Sequence, residues 1–273
     1  SHLLWMAGGA TRFCLTAAPS RTLSSYRAIW GGGQFSQNTQ SSMCRGMTPA
    51  FFWTWIPPKT IRACWNWNNS LSTAIAAIIL AAGKSTRMGV PKMLLPWGSS
   101  SVIETVLQHV LNMELSPVIV VTGANQSLLN DKLAQFVDRI QVVLNDQYEN
   151  LEMFFSIKLG IREAIHQCDA AMLFLGDQPH ISVQTITDMV ALFTNQNASI
   201  LIPSYNMRRG HPILLHRRHF QEILDMPNDA SMKIFLANHE EDIQYLLIRD
   251  DSILEDMDSP EEYQQLKKKH LRG

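Results

Sequence analysis

The sequence predicts an α/β fold with a three-layer, mostly parallel sheet, contained in residues 74–273 of a 273-residue chain. Three observations lead there. From Ala74 onward, short β-branched runs alternate with amphipathic helical patterns, as in strand–helix–strand units. The runs are almost continuously apolar, as strands covered on both faces tend to be. Composition also breaks sharply between residues 73 and 74.

Taken in order, residues 75–80, 117–122, 140–144, 171–175 and 199–203 read as strands. Between them, Leu129, Leu133, Phe136 and Val137 fall on one helical face, and Ile186, Met189, Val190 and Phe193 on another. The rhythm then changes, with later strands at 212–216 and 243–248 around a helix near 229–238. The last helix has a marked start: Ser259 as cap, Pro260 at the first helical position, and Glu262 completing a capping box. In open sheets of this kind ligands bind beyond the carboxyl ends of the strands. Function is therefore expected in the loops after Leu80, Thr122, Leu144 and Leu175.

Residues 1–73 contain six basic side chains and no Asp or Glu, yet hold six of the seven Trp and three of the four Cys (Cys14, Cys44, Cys64). Residues 74–273 carry 17 basic against 24 acidic residues, a balance of −7. Stretches so different seldom share a core. The first has no sustained periodicity and is expected to be an unstructured or non-native extension. Its acid-free, Arg- and Ser-rich composition overlaps that of an organelle transit peptide, but the clean amphipathic helix is missing and the Trp content is foreign to one. Its cysteines have no metal-ligand spacing. Cys168 reads as a small buried apolar residue of a protein in a reducing, cytoplasmic compartment. The net charge of −1 offers no basic field for nucleic acid. No apolar run reaches the ~18–20 residues of a membrane-spanning helix.

The most informative segment comes after the first strand: Leu80-Ala81-Ala82-Gly83-Lys84-Ser85-Thr86-Arg87-Met88-Gly89-Val90-Pro91-Lys92. Small residues and two glycines let backbone N–H groups approach an anion closely. Arg87 and Lys92 add two cations, so a polyphosphate is the natural guest. A P-loop would need glycine at position 78, which is Ile78, and a dinucleotide fingerprint would need one at Ala81. Both patterns fail. A glycine-rich turn carrying solvated cations explains a lone Gly-Lys pair, but not the whole string.

That string resembles the L-A-A-G-x-S-x-R-M-G-x-P-K signature of the molybdenum cofactor cytidylyltransferases, and Leu94-Leu95-Pro96-Trp97-Gly98 is similar to the family's next residues. The resemblance runs over residues 74–273 and implies a Rossmann-like sheet of the nucleotidyltransferase superfamily. It implies nucleotide contacts by Leu80, Ala81, Ala82, Gly83, Arg87 and Lys92. Ala82 and Pro91 depart from the related guanylyltransferases, which typically carry Gly at the first position and an acid at the second, and so lean toward CTP.

Asp177, in Gly176-Asp177-Gln178-Pro179, ends the most strongly apolar strand. A carboxylate there is placed to hold a divalent cation over the loop after strand one, since Mg2+ favours one or two carboxylates plus phosphate oxygens. An ordinary turn or helix cap is the competing reading; the phosphate loop beside it favours the metal, as does the resemblance. Asp256-Met257-Asp258-Ser259-Pro260-Glu261-Glu262-Tyr263 resembles the family element D-x-D-[ST]-P-E-[DE]-Y. It implies Asp258 as second metal ligand, with Asp256 the alternative. Arg209-Gly210-His211-Pro212 resembles R-G-H-P and implies an acceptor site. Gly123 is expected near the base, and Asn145 near the nucleotide or the acceptor. Residues 150–160 depart from the family pattern, with Glu152 where glycine is usual and Phe154-Phe155 before Ser156. His109, His166, His216 and His219 have no ligand spacing, so surface or core roles suffice for them.

The expected chemistry is transfer of CMP from CTP to molybdopterin, with Arg87, Lys92 and Asp177 catalytic and Mg2+ on Asp177 and Asp258. A molybdenum hydroxylase would receive the product. Two alternatives stay open: another acceptor or GTP within the same superfamily, and a non-catalytic protein that escorts the cofactor.

Overall fold

The computed structural model describes residues 73–271 except 152 and 197, together with three short strands in the first part of the chain. The chain divides into two units, Ser1–Leu71 and Ser72–Gly273. In the first, Cys14–Thr16, Arg27–Trp30 and Gly33–Gln34 form a small antiparallel sheet. The expectation for the rest of residues 1–72 lies outside the described residues.

In the second unit the predicted alternation is realised. The strands are β1 (Ile75–Ala81), β2 (Pro96–Trp97), β3 (Ser100–Ser101), β4 (Val118–Thr122), β5 (Gln141–Leu144), β6 (Ala170–Leu175), β7 (Ile200–Tyr205), β8 (Arg208–Arg209), β9 (Ile213–His216) and β10 (Ile243–Leu247). The helices are α1 (Val102–Leu111), α2 (Gln126–Leu133), α3 (Met153–Ala164), α4 (Val183–Gln196), α5 (Phe220–Asp225), α6 (Met232–Asn238) and α7 (Pro260–His270). The main sheet has the order β8-β7-β9-β6-β1-β4-β5, with β10 pairing β7. β1 runs parallel to both neighbours, β4 and β6, while β9 is antiparallel to β6 and β7. The result is a mixed, mostly parallel sheet.

Alternation of side chains along a strand builds the three layers. Ala77 and Ile79 of β1 join Val120, Met172 and Phe174 in a core shared with Leu107 of α1, Leu129 of α2 and Met189 of α4. Ile78 and Leu80 face the other way, into a core with Ile161 of α3, Phe220 of α5 and Phe235 of α6. The close fit of α3 is visible at Gly160, where an added Cβ would run into the Ile78 side chain. Cys168 is buried in this second core.

Two expectations need correction. Val137 does not complete the face of Leu129 and Leu133: it is 68% exposed, because the helix ends at Leu133 and a short 3-10 turn rotates the chain. Nor is 140–144 covered on both faces. β5 is the sheet edge, and Val142 and Leu144 stand in solvent. Helices α1, α3 and α5 had no counterpart among the elements expected from the sequence. α1 is announced by a capping box between Ser101 and Glu104.

The chain leaves β1 toward β4 on one side and later returns to β6 on the other, a switch point of the kind where open sheets bind ligands. Among the described residues, no helix is long and apolar enough to cross a membrane.

Candidate active site

A cleft of about 360 Å3 opens over the carboxyl ends of β1, β5 and β6. Its floor is the loop after β1. Ser85 and Gly89 both adopt left-handed backbone, with φ of 52° and 68°. Glycine accepts this freely; for serine it is uncommon and must be held. The hold is local, since the Lys92 amide donates to Ser85 Oγ at 3.1 Å. The loop after β4 props this turn from behind. Asn125 Nδ2 donates to the Gly83 carbonyl at 3.3 Å, and a Cβ on Gly123 would approach the Ala82 carbonyl oxygen to 2.8 Å. At Gly83 a Cβ would meet nothing within 4 Å. Packing therefore gives no reason for glycine there, and the bare backbone faces the cleft.

Asp177 comes directly after β6, while Asp256 and Asp258 arrive from far along the chain. A third apolar cluster brings them in: Met257, Tyr263 and Leu266 pack with Met88, Trp97 and Val102. Tyr263 Oη donates to the Pro96 carbonyl at 2.5 Å. The expected capping box of α7 forms, and Glu262 Oε2 accepts from the amides of both Asp258 and Ser259, at 2.8 and 2.9 Å. The carboxylate of Asp258 is thus delivered by a rigid helix start.

The charges meet at Lys92. Its ammonium lies 2.5 Å from Asp258 Oδ1 and 3.3 Å from Asp177 Oδ2, with the side chain only 12% exposed. Arg87, at the exposed rim, reaches Asp258 Oδ2 at 2.7 Å. The hydrogen bond from Lys92, reinforced by the charges of Lys92 and Arg87, holds the Asp258 carboxyl below the usual carboxylate range. Asp256 moves the other way: burial, then the neighbouring charges of Asp258 and Asp177, raise it. Two hard carboxylates converging on one cation are a donor set suited to Mg2+.

Leu80, Ala82, Gly83, Asn145, Asp177 and Asp258 all line the cleft. Asn145 is buried, its Nδ2 donating to Ser156 Oγ at 3.0 Å and its Oδ1 accepting from the Gln147 amide at 2.9 Å. Ala81 is wholly buried in the core and does not line the cleft, and Gly123 supports the loop rather than lining it. The R-G-H-P segment does not line it either. Arg209 Nε donates to Tyr245 Oη at 2.8 Å, and Gly210 packs so tightly on Ile253 that a Cβ would strike its carbonyl. Burial pushes the His211 imidazole down to about 4, so it is neutral near pH 7. Sequence reasoning gave no role to Lys84, Tyr148, Leu151 or Met153, which also line the cleft. Lys84 Nζ stands 5.9 Å from the centre of the Tyr148 ring. Their place beyond β1 and β5 was the available signal, since every loop at that sheet edge faces the switch point.

Comparison with known proteins agrees with this architecture. Residues 77–243 match the model of the MobA-like NTP transferase domain, a span that includes Lys92 and Asp177 and ends before Asp256. The chain is 28% identical over 193 residues to the molybdenum cofactor cytidylyltransferase of Escherichia coli K12, covering 70% of this chain and 94% of that protein. It is 25% identical over 201 residues to a protein of Paenarthrobacter nicotinovorans named nicotine blue oxidoreductase, covering 70% and 96%. Among solved structures, Rv0371c of Mycobacterium tuberculosis H37Rv shares the fold with a TM-score of 0.64 at 23% identity, covering 72% of this chain and 98% of that one. The same protein is also solved as a complex with manganese, with a TM-score of 0.61 at 22% identity, covering 72% and 99%. With its matched span, its sheet and its loop after β1, the chain is a nucleotidyltransferase and belongs to the family of MobA-like NTP transferase domains.

Proposed function

We propose that residues 74–273 transfer CMP from CTP to molybdopterin, giving the cytosine dinucleotide form of the cofactor and pyrophosphate. The observation that carries this reading is the convergence of Asp177 and Asp258 on one cation, the Lys92 ammonium, beside the open backbone of Gly83. CTP is supported by Ala82 and Pro91 in the loop and by similarity to the Escherichia coli cytidylyltransferase.

The reaction is an in-line displacement. A terminal phosphate oxygen of molybdopterin bonds to the α-phosphorus of CTP as the bond to the β-phosphate oxygen breaks. The attacking phosphate is already ionised, so no protein base or nucleophile is needed. Amides of the loop around Gly83 cradle the triphosphate, and Arg87 and Lys92 take up charge on the leaving pyrophosphate. Asn145, fixed by Ser156 and Gln147, orients the nucleotide. Asp177 and Asp258 hold Mg2+, which when bound offsets the repulsion between the two phosphates. A protein of related fold is solved as a complex with manganese, which supports the use of a divalent ion. Arg209, Gly210 and His211 are assigned to the acceptor from their motif alone, and a molybdenum hydroxylase is assigned as recipient of the product.

The test is pyrophosphate release with Mg2+ and molybdopterin, comparing CTP with GTP and ATP. Release with CTP alone is expected. Release with GTP instead would overturn the base choice, and release with none, from protein that still binds CTP, would favour another acceptor or the escort reading. A second result is expected at Gly83. Because its Cβ direction is open, Gly83→Ala leaves stability within about 0.5 kcal/mol. It nevertheless raises the KM for CTP about tenfold or more, by pushing the triphosphate off the amides. Denaturant unfolding alongside steady-state kinetics checks both halves.

A further inference from the structure

His219, Glu222 and His239 come together away from the cleft, although nothing in their spacing suggests it. His216, the last residue of β9, pairs with Ala170, the first of β6, and Ile243 opens β10 beside Ile200, the first of β7. The segment after β9 and the segment before β10 therefore meet at the amino ends of the parallel strands. The cleft lies at their carboxyl ends, roughly 20 Å away for strands of this length at about 3.3 Å per residue.

One ligand atom from each of the three residues lies within 4.8 Å of the other two. His239 Nδ1 sits 2.9 Å from the Phe235 carbonyl, which can only accept, so that nitrogen carries its proton. The neutral ring then turns the lone pair of Nε2 toward Glu222 Oε2, 3.0 Å away. Two lone pairs facing each other require a positive centre: a second proton on the ring, or a metal ion. The surroundings are built to hold an ion's ligands in place. Phe235 stacks on His239 with centroids 4.4 Å apart and meets His219 edge-on at 5.5 Å, fixing both rings. His219 Nε2 lies 2.5 Å from Ser199 Oγ, which also accepts from Arg218 Nε at 2.5 Å. Arg218, which shares that hydroxyl with His219, also pairs with Asp242 at 3.3 Å. Anchoring the far nitrogen of a ligating imidazole on a carbonyl or hydroxyl is what orients such ligands elsewhere.

We propose that His219, Glu222 and His239 form a structural transition-metal site, with Zn2+ as the ion that two imidazoles and one carboxylate fit. Mg2+ and Ca2+ prefer all-oxygen sets and do not fit it. Ligands about 2 Å from a tetrahedral Zn2+ stand roughly 3.3 Å apart, so a closure of about 1–1.5 Å assembles the site. Glu222 is exposed, which leaves the fourth position to water. The ion ties the start of α5 to the end of α6 and so fixes the entry into β10.

The test uses the full chain with Mg2+ in excess, so that the carboxylates of the cleft are occupied. Calorimetric titration with Zn2+ is expected to give one site per chain. His239→Gln weakens it at least a hundredfold and Glu222→Gln at least tenfold, both without loss of pyrophosphate release in Mg2+ alone. Zn2+ raises the Tm of the wild type and not that of His239→Gln. Because a variant can misfold, Co2+ is also added to the wild type, where tetrahedral visible bands are expected. A wild type that takes no Zn2+ under these conditions overturns the proposal and leaves a protonated His239–Glu222 ion pair. So do variants that bind Zn2+ as the wild type does, or Co2+ that stays octahedral.

Discussion

Lys92→Ala is expected to slow pyrophosphate release at least a hundredfold while the protein stays folded. The ammonium is the group that reaches Asp177 and Asp258 together, and it is nearly enclosed between them. An enclosed charge positioned where charge develops is worth ~2.7–4 kcal/mol to the transition state, which is about 100- to 1,000-fold in rate. The backbone does not depend on the ammonium. The Lys92 amide keeps its bond to Ser85 Oγ, and Met93 keeps its place in the core. Lys92→Arg should not restore the rate, since a planar guanidinium cannot sit as a point charge between two carboxylates. Turnover measured beside a thermal melt checks the claim. Near-wild-type turnover in Lys92→Ala would remove Lys92 from the phosphate chemistry.

Much of this site was legible because it rests on local rules. The strand runs of β1, β4 and β6 are apolar on both faces, so they announce themselves, and the switch-point rule then points to the loops at their carboxyl ends. The start of α7 was legible for a similar reason, since Ser259, Pro260 and Glu262 are neighbours. What was not legible depends on contacts distant in sequence. The arrival of Asp258 beside Lys92 requires Trp97 and Met88 to pack on Met257 and Tyr263, which no local pattern encodes. Val142 and Leu144 look like core residues until the sheet order makes β5 an edge. Arg209 carries a motif resemblance, yet its guanidinium is spent on Tyr245. His219 had no ligand spacing because its neighbour His239 comes from another helix end, after α6.

Asp177→Ala is expected to cost as much turnover as Lys92→Ala, for a different reason that magnesium dependence exposes. Asp177 sits at the end of β6 with its side chain only 26% exposed, and its truncation leaves the packing of β6 untouched. If it holds the ion, its loss raises the Mg2+ concentration for half-maximal rate at least tenfold, whereas Lys92→Ala, which removes a like charge from beside the ion, lowers the rate without raising that concentration. The second ligand is resolved by the same titration. The hydrogen bond from Lys92 holds the Asp258 carboxyl below its usual range, while burial and the two nearby carboxylates raise that of Asp256. The carboxyl that loses its proton more readily is the better ligand for a hard cation. Asp258→Asn should therefore share the raised Mg2+ requirement of Asp177→Ala, and Asp256→Asn should not. The larger rise in Asp256→Asn would move the second ligand two residues back. An unchanged requirement in Asp177→Ala would remove that carboxylate from the ion altogether, and with it the arrangement on which the proposed transfer rests.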